Sequence, residues 1–316
     1  MLLKPRSAAY DTYWYFAAER QNIFYKKLAS QKPPYTNDLI LNQYKFCNVY
    51  RASDRVSQYL IRDVIYNGNY SKSDNLFRIF LFRLLNKIET WQLLEQKLGQ
   101  IDLNKFSIQR YAKAIDELKT EGNVIYGNAF ILCANKIFGY DQKHRNHLAL
   151  LKMVFEDKGK LTKLLQAKSL QELFIILRSF PLIGDFMAYQ LAIDFNYSEV
   201  FDFDENDFTI AGPGAKRGIQ KCFENTKGYS NEEIIMWMVE DQDEEFKRLG
   251  LQFKRLGTRS LKAIDCQGLF CEVDKYCRVK FPELASNRVH IKTQYKPTGK
   301  IIKYFFPPKW NIEIAP

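Results

Sequence analysis

Two stretches of this chain combine residue types that could grip a phosphodiester backbone and act on a sugar. The first is Phe180-Pro-Leu-Ile-Gly-Asp-Phe-Met-Ala-Tyr-Gln190, and the second is the acidic-aromatic run Phe201-Asp-Phe-Asp-Glu-Asn-Asp-Phe208. Pro181 removes an amide donor and restricts Phe180, so a helix arriving from Ser169 stops there. Gly184 is expected to take a backbone conformation that a Cβ would penalise. Asp185 then opens the next helix, where a negative side chain is favoured. Such a hairpin turns the amides of Leu182, Ile183 and Gly184 outward, and phosphate oxygens bind amides presented in this way. In the second run, alternation puts Phe201 and Phe203 opposite Asp202 and Asp204, with Glu205 and Asp207 following. A carboxylate beside apolar rings can have a shifted pKa. Held in place, it stabilises the positive charge that develops on a sugar as its bond to a base breaks, or it activates water. The plain alternatives are a helix–helix connection and a solvated acidic loop.

Further along, Gly212, Gly214 and Gly218 with Lys216 and Arg217 read as a compact cationic loop leading into a helix at Ile219. Exposed amides and two cations suit a phosphate; a glycine turn carrying surface charge is the equal alternative. No GxxxxGK[ST] nucleotide loop occurs in the chain. Nearer the N-terminus, Asn48, Tyr50, Arg51 and Asp54 form a dense polar-aromatic patch. Asn48, Arg51 and Asp54 follow at intervals of three and would share one helix face. They read either as the wall of a pocket for a flipped base, with aromatic stacking and polar contacts to the base edge, or as a buried Arg–Asp pair. Asn86, Glu89 and Trp91 carry the same two readings. Gln190 is placed to reach a cleft, whereas Tyr189 packs. Lys275 and Arg278 are candidate phosphate contacts on a C-terminal helix.

The elements that must position these residues are mostly helical. Val56–Ile65, Leu76–Ile88, Leu148–Phe155 and Leu170–Ile176 show apolar residues at helical spacing. Ser169 with Glu172 and Ser230 with Glu233 are Ser-x-x-Glu capping signals. Glu240–Glu245 reads as the solvated end of a helix. Val289–Tyr295 and Ile301–Phe306 are β-prone runs split by Lys-Pro-Thr-Gly-Lys, which predicts a small C-terminal β element over 289–306. The fold class expected is mostly α, one compact unit of two helical lobes over 1–316, with the hairpin and catalytic segment at 169–220.

Charge supports a polyanionic partner. Lys and Arg total 47 against 36 Asp and Glu, a net +11, and aromatic residues make up 15% of the 316. No apolar run is long enough to span a bilayer, and the N-terminus lacks a signal peptide's apolar core, so a cytoplasmic protein without membrane attachment is expected. The six cysteines contain no CxxC pair; Cys266, Cys271 and Cys277 read as ordinary buried thiols, with neither metal nor cofactor expected. His144 and His147 lie among positive charges and read as a solvated or phosphate-facing surface.

The segment Pro181–Ala188 with Asp204 resembles the helix-hairpin-helix DNA glycosylase superfamily, whose catalytic Asp follows the last hairpin glycine at a similar distance to the 20 residues here. Phe186 stands where lyase-type members carry Lys, which implies a monofunctional glycosylase leaving an abasic site. A set of blocks covering most of the chain is similar to one family: Thr36–Asp38, Phe46–Arg51, Asp54-Arg55, Asn86–Trp91, Ala188–Gln190, Glu205–Phe208 and Gly212–Ala215. It comprises alpha-glutamyl/putrescinyl thymine pyrophosphorylases and the helical domain of 5-hydroxymethyluracil DNA kinases, and some members look like antiphage DNA glycosylases. The resemblance implies a monomer acting on double-stranded DNA with hypermodified pyrimidines. It implies excision of a base such as glucosylated hydroxymethylcytosine in antiphage defence. Asp204 is the first catalytic candidate, on hairpin spacing, and Asp207 the second, being inside a family block. The base pocket implied is Asn48, Tyr50, Arg51, Asp54, Asn86, Glu89 and Gln190; phosphates go to Leu182–Gly184, Gly212, Gly214, Lys216 and Arg217. Two alternatives stay open: a transferase that installs a bulky group on hydroxymethyluracil by displacing pyrophosphate, and a non-catalytic module that binds modified DNA.

Overall fold

The computed structural model describes residues 3–128, 135–284, 288–291, 293–296 and 302–314. The chain is mostly helical, as its periodicity predicts, and falls into two compact units. One comprises Met1–Asp54, Phe208–Tyr304 and Trp310–Pro316; the other comprises Arg55–Asp207 and Phe305–Lys309. Among the described residues no helix is long and apolar enough to cross a membrane.

The first unit is built around the helix Ala263–Lys280. Its partner helix, Pro213–Cys222, packs unusually close because two of its residues lack side chains. A Cβ on Gly218 would meet the carbonyl oxygen of Phe270 at 2.1 Å, and one on Gly214 would meet Cys271 Sγ at 2.7 Å. The same contact buries Asp274, which is 0% exposed and pairs with Arg278 at 2.6 Å, Lys221 at 3.0 Å and Arg217 at 3.1 Å. Burial disfavours the charged carboxylate, yet Arg278 and Lys221 hold its pKa below the usual range. The long helix Ser7–Leu28 contributes an aromatic face: Tyr13 lies 4.9 Å from Trp14 and 4.7 Å from Phe270, and Trp14 lies 5.1 Å from Phe246. Ser230 and Glu233 form the full capping box that their spacing predicts, at 3.2 and 2.7 Å.

The described sheet is not the expected C-terminal element. It pairs Lys4–Pro5 with Phe223–Asn225, antiparallel. Around Gln294 a single bridge joins Tyr44, with Lys45 N donating to Thr293 O at 3.0 Å and Tyr295 N to Gln43 O at 2.9 Å. The 293–295 backbone therefore finds a distant partner in place of a hairpin mate. Phe305, from the second β-prone run, belongs to the other unit, where its amide donates to Gln58 at 2.7 Å. Residues 292 and 297–301, including most of the predicted turn, lie outside the described residues.

In the second unit the helix Lys72–Leu85 is the hub. Its Arg78, 1% exposed, donates to Val64 O at 2.9 Å and Ile101 O at 2.7 Å, closing the π-helical turn Leu60–Ile65. Arg83 makes a bidentate pair with Asp194 at 2.6 and 2.9 Å, both side chains being essentially dry. The periodic pattern through Ile88 is interrupted at Asn86, which takes a left-handed conformation (φ 48°) and ends the helix; Ile88 starts the next one, Ile88–Leu98. His144 and His147 are buried, contrary to the surface expected, with His144 Nε2 2.9 Å from Asp116 and His147 Nδ1 sharing a 3.1 Å hydrogen bond with the Tyr126 hydroxyl.

Two substitutions test these contacts by denaturant unfolding. Gly218→Ala drives a methyl into a backbone carbonyl and is expected to cost about 3 kcal/mol. Asp194→Ala takes the carboxylate from a buried arginine and is expected to cost about 4 kcal/mol. A loss below roughly 1 kcal/mol in either would mean the contact relaxes freely.

Candidate functional site

The first unit gathers polar groups where the loop 36–54 meets one face of the helix Ala263–Lys280. Asp265, Glu272 and Tyr276 recur at intervals of seven and four, so their side chains share that face. Asp265 accepts the Arg51 amide at 2.8 Å, and Glu272 accepts the Cys47 amide at 3.0 Å. Tyr276 donates to Asp38 at 2.5 Å. Two of the sequence blocks, 36–38 and 46–51, are thereby fastened to one surface.

Within this surface Asn48 is the junction. Its amide donates to Asp54 Oδ1 at 2.8 Å, its side-chain NH₂ to Ser53 O at 2.7 Å, and its Oδ1 accepts Arg20 Nη2 at 2.6 Å. Residues 51–53 form a short 3₁₀ turn, so Asn48, Arg51 and Asp54 are not arrayed along a helix face as their spacing suggested. Arg20 is the buried cation beside Asn48, and sequence reasoning missed it. The available signal was a charge on the aromatic stripe Tyr13–Phe16–Arg20–Phe24, a position that buries its side chain. Tyr50 does not present a stacking face: its ring is 1% exposed and its hydroxyl donates to Arg259 O at 2.6 Å.

The electrostatics single out Asp54. Desolvation pushes its carboxyl up to about 6, against the opposing effects of the Asn48 amide and Arg20. Oδ1 is held by that amide, and among the described residues Oδ2 has no hydrogen-bond partner. A carboxyl of this kind exchanges a proton near neutral pH. Cys47 sits beside it, exposed at the surface, with its thiol pushed up chiefly by the Asp54 and Glu272 charges, so it is a poor nucleophile. Lys275 pairs with Glu272 at 2.5 Å. Next to the cluster, Asp38 also accepts Tyr15 at 3.2 Å, and an open pocket of about 420 Å³ is lined by Tyr15, Glu19, Lys26 and Tyr35–Asp38.

The remaining candidates are placed differently. Gly212 caps the helix Pro213–Cys222, and Gly214 is explained by helix packing instead of a phosphate cradle. Arg217 is committed to Asp274, whereas Lys216 is exposed. The hairpin joins Leu170–Arg178 to Asp185–Asn196 as expected, but Leu182 takes the left-handed conformation (φ 68°) and Gly184 is extended (φ −85°) with open space around its Cβ position. Ile183 is buried; Arg178 pairs with Asp185 and donates to Ile183 O at 3.3 Å.

Phe201 and Phe203 stack at 5.2 Å, and Asp204 and Asp207 are exposed. Asp204 Oδ1 accepts the Asn206 amide at 3.0 Å, forming a local turn. The buried carboxylate of this run is Glu205, at 3% exposure, and the apolar rings do not enclose Asp204. Asn86 is buried and accepts Arg83 at 2.8 Å, Glu89 is exposed and 3.7 Å from Arg55, and Gln190 is buried one turn from Asp194. In the second unit Asn86 is thus joined through Arg83 to Asp194, one turn from Gln190, and in the first unit Asn48 and Asp54 are joined directly. Among the described residues no three His, Cys, Asp or Glu side chains group as metal ligands.

Comparison with known proteins bears on this arrangement. Residues 7–286 match the family model described as "5-hmdU DNA kinase, helical domain". A 5-hmdU DNA kinase of Bacillus phage SP10 is 27% identical over 287 residues, which is 84% of this chain and 44% of the relative; the chain thus spans less than half of that protein's length. No solved structure matches. These findings overturn the expectation of a monofunctional DNA N-glycosylase, a hydrolase leaving abasic sites. The family and the relative carry the name of a kinase, which is a transferase, and the transferase alternative is nearer to them. The hairpin misled because a backbone motif of this kind does not specify which reaction a protein performs.

Asp54 supplies a pH test. Its folded pKa lies above its unfolded value, so the folded chain holds the proton more tightly. Its protonation favours folding most at low pH, and that contribution is lost as pH rises from about 4 through about 6. Carbon-detected NMR of the carboxyl should show a midpoint near 6, and Asp54→Asn should flatten stability across that window. A midpoint below about 4.5 would show the group to be ordinarily solvated.

Proposed function

The chain belongs to the family of 5-hmdU DNA kinase helical domains, and on that footing we propose that it acts on DNA carrying 5-hydroxymethyluracil, in group transfer at the hydroxymethyl substituent. The match along residues 7–286 carries this reading. The cluster around Asp54 supplies suitable chemistry. Asp54 Oδ2 accepts the hydroxyl proton as the hydroxymethyl oxygen attacks the terminal phosphorus of a nucleoside triphosphate. The new O–P bond forms, the phosphoanhydride bond breaks, and the diphosphate leaves. Asn48 holds Asp54 through its amide, and Arg20 through Asn48 fixes the orientation.

Backbone phosphates are assigned to the exposed Lys216 and to the amides of Leu182 and Gly184, the Ile183 amide being bonded to Phe180 O at 3.3 Å, consistent with the net charge of +11.

The test is incubation of the purified chain with duplexes containing 5-hydroxymethyluracil or thymine, with ATP and Mg²⁺, followed by digestion to nucleosides and mass spectrometry, alongside binding titrations. The expected outcome is at least tenfold preference for the hydroxymethyl duplex and a phosphorylated nucleoside. Asp54→Asn is expected to keep the binding and lower transfer by about 10²-fold or more. Equal binding of both duplexes, or free base and abasic sites, would overturn the reading.

A further inference from the structure

Arg20 and Lys27 lie two turns apart on the helix Ser7–Leu28, so both side chains leave the same face. Each is a cation short of a counter-charge. Arg20 is 8% exposed; it spends Nη2 on Asn48 at 2.6 Å and Phe46 O at 3.5 Å, while Nη1 is buried without a hydrogen-bond partner among the described residues. Asp54 and Glu272 face it but form no ion pair with it among those residues. A buried guanidinium donor left unsatisfied costs free energy, and such groups are regularly completed by a ligand or water.

Lys27 is flanked by aromatic faces, with Nζ 4.4 Å from the Tyr295 ring centre and 5.1 Å from that of Tyr35, and among the described residues no carboxylate pairs with it. Tyr304 packs 5.0 Å from Phe24, which lies between the two cations in sequence. Burial, and then the Arg20 charge, hold the Lys27 ammonium down to about 8, so an incoming anion would relieve both penalties.

We propose that Arg20 and Lys27 form an anion-binding site for a terminal phosphoryl group. Arg20 at the buried end offers a donor to an oxygen, and Lys27 adds a point charge at the rim. A backbone phosphodiester must pass a chain on both sides of its phosphorus, which a site ending on a buried arginine does not accommodate. A terminal phosphate or diphosphate enters end-on. This assignment stands on the geometry of the two cations and holds whether or not Asp54 acts as a base.

Calorimetric titration of the whole chain with inorganic phosphate, pyrophosphate and a short unmodified duplex tests it. Pyrophosphate is expected to bind with measurable heat, and Lys27→Met, which keeps the apolar stem between the rings, to weaken it at least tenfold. Arg20→Lys is expected to weaken it as well, with circular dichroism melting confirming that both variants fold. As an independent readout, pyrophosphate should protect Lys27 from reductive methylation followed by peptide mass spectrometry. Absence of pyrophosphate binding, unchanged affinity in Lys27→Met, or methylation of Lys27 unaffected by pyrophosphate would each overturn the proposal. Binding of the duplex alone, lost in the same variants, would also overturn it, by assigning the pair to backbone phosphate.

Discussion

The first unit depends on how closely Pro213–Cys222 approaches Ala263–Lys280. The absent side chains of Gly214 and Gly218 let one backbone ride on the other, and Asp274 is sealed between them with three cations. A buried carboxylate is tolerable only with compensating charge and hydrogen bonds, so this contact admits few alternatives. Because one face of Ala263–Lys280 is locked in this way, its other face is rigid. Asp265, Glu272 and Tyr276 can then hold the loop 36–54 at three points.

That loop would otherwise have little reason to keep its shape. Its backbone amides at Cys47, Asn48 and Arg51 are satisfied by carboxylates in place of neighbouring strands or helix turns. The arrangement concentrates charge in a poorly solvated place, which raises the Asp54 pKa and leaves Arg20 and Lys27 short of counter-charge. Ion pairs arranged for stability alone would be better matched, as Arg83 with Asp194 is in the second unit. Mismatched, desolvated charge of this sort is what functional sites accumulate.

The hairpin illustrates how a local motif separates from chemistry. Its helices and turn form where Pro181 and Asp185 place them, and Asp204 follows at the expected distance. Yet Asp204 is exposed and tied into a turn with Asn206, and Leu182, not Gly184, carries the unusual backbone conformation. The kinship with a 5-hmdU DNA kinase then removed the support for excision. A helix–hairpin–helix motif by itself says nothing about which bond is broken.

Local and compositional features were legible in the sequence by itself. The helical class, the hairpin, the Ser230–Glu233 cap, the basic charge and the family blocks all depend on residues a few positions apart or on bulk content. Long-range pairing was not legible. Nothing in the pattern of Val289–Tyr295 shows that residues 293–295 pair with 43–45, because β-prone sequence leaves the partner unspecified. Nor does spacing reveal that Arg20 meets Asn48, that Glu272 meets Cys47, or that Gly218 is empty for the sake of Phe270. Such contacts join residues up to hundreds of positions apart, and only tertiary packing decides which charges are desolvated together. For this chain that decision brings Asp54, Asn48 and Arg20 together in one poorly solvated cluster.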